Sequence, residues 1–403
     1  MENELPKGWK IQPLKDVVTS MKGKKPKLLS ELPFDNSIPY IDIKALEKDL
    51  IEQYADIESS KSFSNNDIAV VWDGARCGWV AKAKEGAIGS TICALTPLDI
   101  ESNYLYYFLL SKYSLVNSKG RGVGIPHIDP TLFWNMEVPI PLSKEQKQIS
   151  EKLDKLFDQI ESIKKSTERI PELLKNFRQQ ILTYAVTGKL TEDWRKDKQL
   201  DAWRVELAKD CCVKVQSGGT PKGSKFETVG IPFLKVYNIV NNKIDFESEP
   251  QYVSEEIQNS QIKKSITYPG DVIMNIVGPP LNKVAIIPDT YKEWNLNQAI
   301  TLFRPKEYLN NKYLYYFFCE GSSVNSVIDK TRGVVGQVNI SLSQCRNFSI
   351  SIPPMEEQLE IVKRIEALFN ILDDAERRYQ VLCDKLDKLP QALLCKAFKG
   401  ELV

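Results

Sequence analysis

Arg121 and Arg332 each stand on a stretch hinged by glycine, GRGVG at 120–124 and TRGVVG at 331–336. A guanidinium is a planar fork of donors that matches the acceptor edge of guanine, and the amides that follow the second arginine, Gln337 and Asn339, suit adenine. His127 follows the first arginine in the corresponding place. Upstream, Lys22, Lys24, Lys25 and Lys27 line the run MKGKKPK, and the second half of the chain answers with SGGTPKGSK, carrying Lys222 and Lys225. Cations and backbone donors on such loops suit phosphates. A solvated charged turn is an equally good reading of the same residues. Arg76, Asn275 and Lys283 complete the candidate binding set. The GRGVG run follows a helical pattern instead of opening a helix, so it reads as a turn and not as a nucleotide cradle.

Catalytic chemistry is missing from the pattern. His127 is the single histidine, which leaves no base for Ser-His or Cys-His catalysis. The eight cysteines form no Cys-x-x-Cys, and Cys211 and Cys212 are neighbours, so reduced thiols in the cores are expected. There is no Gly-x-Gly-x-x-Gly after a strand, no P-loop and no Asn-Pro-Pro-aromatic motif; Val277–Pro280 (VGPP) lacks the Asn and the aromatic. Asp67 and Asp271, the carboxylates that recur in both halves, sit in the turn contexts SNND and YPGD. We therefore expect no active site, no cofactor and no metal. Net charge is +1, and it is spread evenly. Residues 1–142 carry 16 basic and 18 acidic side chains, and residues 201–352 carry 17 and 15. A polybasic footprint is absent, so any nucleic acid must be held by local patches or with a partner's help. No apolar run approaches the ~18 residues of a membrane span. The first residues have no apolar signal region, and a cytoplasmic protein is expected.

What could carry such loops is a long duplicated helix. Between Ser143 and Leu190, apolar residues fall at Ile149, Leu153, Leu156, Ile160, Ile163, Ile170, Leu174, Phe177 and Ile181, with Thr167 in the one polar slot. A period of about 3.5 makes a narrow seam, which needs a partner helix and not a broad core. The same phase returns at Ile361, Ile365, Leu368, Leu372, Ala375, Tyr379, Leu382, Leu386, Leu389 and Leu393. The offset is a constant 212 residues, from Gln146 to Gln358 and from Gly188 to Gly400. Each copy closes on Gly-Lys-Leu or Gly-Glu-Leu, and glycine there is a C-terminal stop. Pro171 should kink the first helix or start a new segment, and Pro390 should do the same near the end of the second.

The repeat extends into the flanking regions. Ile38-Pro-Tyr-Ile answers Ile231-Pro-Phe-Leu, and Tyr104-Leu-Tyr-Tyr-Phe answers Tyr313-Leu-Tyr-Tyr-Phe. Short β-branched runs (38–43, 68–72, 92–95; 233–237, 272–277, 299–303) bounded by Gly, Pro, Asn and Asp read as strands, followed by one helix each at 103–112 and 310–319. The stripe Tyr104, Tyr107, Phe108 could stack on bases, but at helical spacing it reads as core. The expected fold is α+β: two similar mixed lobes joined by two long antiparallel helices that form an intramolecular coiled coil. The lobes span 1–142 and 201–352, the helices 143–190 and 353–403, and a linker 191–200. Connectivity puts a lobe at each end of the pair, about a pseudo-twofold axis. At ~1.5 Å per residue, about 40 residues of helix separate the lobes by roughly 60 Å at most.

This organisation resembles the specificity (S) subunit of type I restriction-modification enzymes. The resemblance is carried by the LPKGW start, the VQSGGTPKG loop, the two runs ending in Glu-Gln (Ile140–Gln146 and Ile352–Gln358), the paired Ala-x-x-Gly-x-Leu exits and Thr187–Arg195 (TGKLTEDWR). It covers essentially the whole chain; Pro171 and the Cys211–Cys212 pair are not part of the pattern. The resemblance implies two target-recognition domains, each reading half of a split asymmetric site in double-stranded DNA. It also implies two methyltransferase (M) subunits docked on the chain, two motor-nuclease (R) subunits reached through them, and no catalysis by the chain itself. The alternative is a tandem scaffold of the same architecture that holds protein partners in a related defence system.

The repeat generates a prediction of its own. A half-chain ending near Arg195 leaves its seam in water, and burying such apolar side chains is worth ~1.5–3 kcal/mol each. A second half-chain can supply the missing helix with true twofold symmetry. The expected outcome is a homodimer directing methylation to a palindromic split site; light scattering that shows a monomer at micromolar concentration refutes it.

Overall fold

The computed structural model of the chain describes residues 5–122, 124–223, 226–328 and 339–402, together with the backbone of Val338. Two compact units emerge, Met1–Glu168 with Gln380–Val403, and Arg169–Tyr379. Each contains one lobe and a stretch of both long helices.

The lobes repeat one sheet plan. In the first, strands β1 (Val18–Lys22), β2 (Ile68–Val71), β3 (Val80–Lys82) and β4 (Ile92–Pro97) form an antiparallel sheet in the order β1-β4-β2-β3. In the second, β5 (Cys212–Ser217), β6 (Val272–Asn275), β7 (Val284–Ile286) and β8 (Ile300–Pro305) form the same sheet in the order β5-β8-β6-β7. A smaller sheet accompanies each and includes one parallel pairing, Ser37–Ile41 with Ala87–Ile88 and Ile231–Leu234 with Asn295–Leu296. The central strands β2 and β6 are buried along their whole length, which is why Ile68–Val71 and 272–274 are continuous apolar runs and not alternating ones.

The helices are α1 (Ser102–Ser118), α2 (Ser143–Thr167), α3 (Ile170–Val186), α4 (Asn311–Glu320) and α5 (Met355–Ala397). The aromatic stripe is core, as expected: Tyr104, Tyr107 and Phe108 are buried, as are Tyr313 and Phe317. The hydroxyls of the two equivalent tyrosines find main-chain partners at equivalent places, Tyr104 Oη donating to Pro139 O and Tyr313 Oη to Ser351 O, each at 2.7 Å. Asp67 and Asp271 are turn residues, accepting from the backbone N–H groups of Ser64 and Tyr268 at 2.7 and 2.8 Å.

Each long helix begins at a glutamine lock. Gln146 is buried; its Nε2 donates to Pro141 O, and its Oε1 accepts from the backbone N–H of Glu101, both at 2.9 Å. Gln358 repeats this with Pro353 O at 2.8 Å and the N–H of Asn310 at 2.7 Å, and adds Tyr308 O at 2.9 Å. Glu101 and Asn310 are the N-caps of α1 and α4. One amide thus ties the start of a long helix to the start of the helix that packs beneath it.

Within each unit the two long helices run antiparallel. Lys164 Nζ meets Asp387 at 2.6 Å in the first unit. In the second, Arg178 pairs with Asp373 and Glu376 and lies over the ring of Phe369, while Arg364 Nη1 reaches Asp193 at 2.7 Å. Much of the buried seam lies where a lobe adds a third wall, although Ile160 and Leu386 are buried outside either lobe core. Ile149, Leu153 and Leu394 join the first lobe's core, and Leu182, Ile361 and Ile365 the second's. Ile163, Phe177 and Leu389, expected in the seam, are exposed. Two helices alone cannot enclose them.

The prolines behave differently from one another. Pro171 starts a new segment, α3, in whose first turn its missing N–H is not needed. Pro390 does not break α5, which runs unbroken through it to Ala397. Leu386 and Leu394, buried one turn before and after, hold that stretch in place across the lost hydrogen bond. Among the described residues no helix is long and apolar enough to cross a membrane.

Gln358→Ala strips partners from a buried N–H and from two carbonyls. With ~1–3 kcal/mol for each buried group left unsatisfied, chemical denaturation should register a loss of at least about 2 kcal/mol. An unchanged midpoint would show that the lock contributes nothing.

Candidate nucleic-acid interface

In the first lobe the chain leaving α1 folds into a hairpin whose ends are Arg121 and His127. The backbone N–H of Arg121 donates to His127 O at 2.8 Å, and that of His127 to Arg121 O at 2.7 Å. Gly122 makes the turn possible, because its φ of +109° is open to glycine and a Cβ there would stand 2.6 Å from Ile125 O. The hairpin lies against the end of β2. Gly74 N–H donates to Pro126 O at 2.8 Å and Ile128 N–H to Trp72 O at 3.0 Å, with Ile128 buried.

Two carboxylates organise the charges here. Asp129 caps the helix Pro130–Trp134, accepting from the N–H groups of Thr131 and Leu132 at 2.9 and 3.4 Å, and pairs with Arg121 Nη2 at 2.7 Å. Burial pushes the Asp129 carboxyl up, but the Arg121 hydrogen bond and the two N–H donors together hold it below the ordinary aspartate value. Asp73 receives Lys22 Nζ at 2.9 Å on one oxygen and His127 Nδ1 at 2.7 Å on the other. Lys61 Nζ donates to Lys22 O at 2.9 Å. The Arg121 and His127 side chains remain half exposed or more.

The lysine loop after β1 is reached through Gly23, whose N–H donates to Ile92 O at 2.9 Å. A Cβ at Gly23 would meet Gly89 O at 2.2 Å, and one at Gly218, its counterpart in the second lobe, would meet Asn297 O at 2.1 Å. Lys24, Lys25 and Lys27 are exposed beyond it. Arg76 stands apart in an ion pair with Glu47 at 2.8 Å, a hydrogen bond that raises the arginine's pKa and lowers the glutamate's.

The second lobe uses the same frame with other side chains. Ile340 N–H donates to Ile276 O at 2.9 Å, and Asn339 pairs with Val277 in a two-residue ladder, its side chain exposed. Val277 takes the place of Asp73. Lys222 is exposed on the loop beyond Gly218, its N–H donating to Gln261 at 2.9 Å. Asn275 is fully buried: its amide donates to Val277 O and Pro280 O at 3.3 and 2.8 Å and accepts from Lys283 N–H at 2.7 Å. It shapes the loop and presents nothing to a ligand, contrary to the expectation of a binding residue. Lys283 is half-buried with Nζ 3.5 Å from Val236 O. Lys225, Arg332 and Gln337 lie outside the described residues.

The structure thus gathers Lys22, Arg121 and His127 into one cluster and leaves Arg76, Asn275 and Lys283 with local tasks. Sequence reading missed the two carboxylates that set the cluster. Asp129 carried a signal, an aspartate before proline at a helix start; Asp73 had none, since only the fold brings it to Lys22 and His127. Among the described residues no group of His, Cys, Asp or Glu could hold a metal ion.

The model of the type I restriction modification DNA specificity domain matches this chain twice, at residues 6–172 and 202–382. The EcoKI specificity subunit of Escherichia coli (strain K12) is 28% identical over 430 residues, covering 99% of this chain and 90% of that one. The MjaVIII specificity subunit of Methanocaldococcus jannaschii is 25% identical over 406 residues, covering 97% and 93%. The crystal structure of the HsdS subunit from Thermoanaerobacter tengcongensis superposes with a TM-score of 0.70 at 18% identity, covering 99% of each chain, which is a likeness of fold.

Asn275→Ala should unfold the second lobe more easily, because the Lys283 N–H and the Pro280 carbonyl lose buried partners worth ~1–3 kcal/mol each. A drop of about 2 kcal/mol or more in denaturant unfolding is expected; full stability with altered ligand binding would restore Asn275 to the interface.

Proposed function

The chain belongs to the type I restriction-modification DNA specificity family, and from that membership we propose how it divides its work. Each lobe (1–142 and 201–352) reads one half of a split, asymmetric site in double-stranded DNA. The helical segments 143–190 and 353–403, with the linker 191–200 following the first, are the spacer elements: the helices set the distance between the half-sites and dock two methyltransferase subunits. Two motor-nuclease subunits join through those methyltransferases. The chain contributes recognition and leaves catalysis to its partners in the cytoplasm.

One observation carries this reading. In both lobes an isoleucine ties the chain to the end of the central strand through the same hydrogen bond, Ile128 to Trp72 and Ile340 to Ile276, at 3.0 and 2.9 Å. The residues displayed beside it differ: His127 and Asp73 in one lobe, Asn339 and Val277 in the other. A shared frame with different donors and acceptors is what two different half-sites require.

The test is methylome sequencing of cells that express the chain with its methyltransferase partner. A split motif is expected, and Arg121→Ala should relax one half of it at a cost of roughly 1–3 kcal/mol if the arginine contacts a base. Arg332→Ala should relax the other half. A phosphate contact would weaken all sequences alike, and the absence of any split motif would overturn the reading.

A further inference from the structure

Resting on that reading, we propose that His127 is a proton-linked DNA contact. It takes up a proton when the first lobe binds its half-site, and Asp73 is the positioning residue that decides which ring nitrogen faces the DNA. A carboxylate only accepts, so the 2.7 Å contact from His127 Nδ1 to Asp73 Oδ1 places the hydrogen on Nδ1. Nε2 is left pointing away from the pair, and among the described residues nothing binds it. The side chain is 50% exposed, so this nitrogen is open to a ligand.

What Nε2 can do depends on the proton. In the neutral ring it is a lone-pair acceptor; in the imidazolium it is a donor. Phosphate oxygens, and the O6 and N7 atoms of guanine, are acceptors, so they reject the first form and hold the second. Lys22 occupies the other oxygen of Asp73 at 2.9 Å, and Lys61 stands behind it on Lys22 O at 2.9 Å. Arg121 faces His127 across the hairpin and is only partly offset by Asp129 at 2.7 Å. Asp73, Asp129, Lys22 and Arg121 are thus the charged groups around the ring, with Lys61 behind Lys22. An acceptor on a polyanion set against Nε2 holds the charged ring, so the bound state holds more protons than the free one. By linkage, affinity for this half-site falls as pH rises.

The chain holds a single histidine, which makes the second lobe an internal control. The full chain, assembled with its methyltransferase subunits, is used to select from a pool of random duplexes at about pH 6 and about pH 8, spanning the imidazole range. Enrichment of the first lobe's half-site should fall roughly three- to tenfold between the two, the limit being tenfold per pH unit for one proton. The second half-site should not change. If the acceptor is a guanine edge, the fall is confined to one base position; if it is a phosphate, it affects the whole half-site. His127→Gln keeps the main-chain pairing with Arg121 and should flatten the response. Asp73→Asn should move it to lower pH, which a merely structural aspartate would not do. Calorimetry in two buffers of different ionisation enthalpy counts the proton directly. Equal pH responses in both half-sites, or a response that survives in His127→Gln, would overturn the inference while leaving the split-site reading standing. A pool that yields no split motif at either pH would overturn that reading, and this inference with it.

Discussion

A helix with a single narrow apolar seam buries only part of it against one partner, and much of the chain answers to that constraint. A two-stranded pair leaves one side of each seam residue in water. Ile149, Leu153, Ile361 and Ile365 are buried because a lobe core closes the open side, and Ile160 and Leu386 are buried outside either core, while Ile163, Phe177 and Leu389 stay exposed. Apolar contact would hold a helix end to a lobe but not fix its rotation or its register. The buried amides of Gln146 and Gln358 do that, because each must satisfy a donor and an acceptor at set positions. The helix start, the lobe helix and the strand end before the glutamine then move as one body.

The charges on the first lobe follow a different logic. Lys22, Arg76 and Arg121 each face a carboxylate, which accords with a chain whose net charge is only +1. Half-exposed ion pairs are worth ~0–1 kcal/mol, so they add little stability. Their effect is on geometry and on competition. A phosphate must displace or share each cation with its carboxylate, so indiscriminate attraction to a polyanion is weak, and discrimination rests on groups held at fixed positions.

The architecture was legible because it is written twice. A 3.5-residue period with a constant offset specifies two helices of one kind, and their direction follows from connectivity alone. The aromatic stripes and the turn aspartates were legible for the same reason, each copy vouching for the other. The candidate binding residues were not, because they fall where the copies differ. Asn275 reads as an amide near a loop, and only burial reveals that its hydrogen bonds are consumed internally. Asp73 reads as one more acidic residue after a strand until the fold places Lys22 and His127 on either side of it. Pro390 reads as a breaker, because local propensity carries no information about the packing that holds the turns around it.

The way fixed and variable positions alternate explains how such a lobe can change its target without losing its fold. His127-Ile128-Asp129 and Asn339-Ile340-Ser341 follow one rule: an outward residue, a buried isoleucine bonded to the central strand, and an N-cap. Asp129 caps through Thr131 and Leu132, and Ser341 through the N–H of Gln344 at 3.2 Å. The isoleucine and the cap carry the stability, since a buried side chain and a cap are each worth about 1 kcal/mol or more. The outward residue carries little, and changing it leaves the frame in place. The cap is the one position that belongs to both roles. An aspartate there can hold an arginine as Asp129 holds Arg121, whereas a serine can cap but brings no charge. Exchanging one cap for the other would therefore keep the helix and alter how a neighbouring cation is presented, so recognition can drift by steps that each cost little folding free energy.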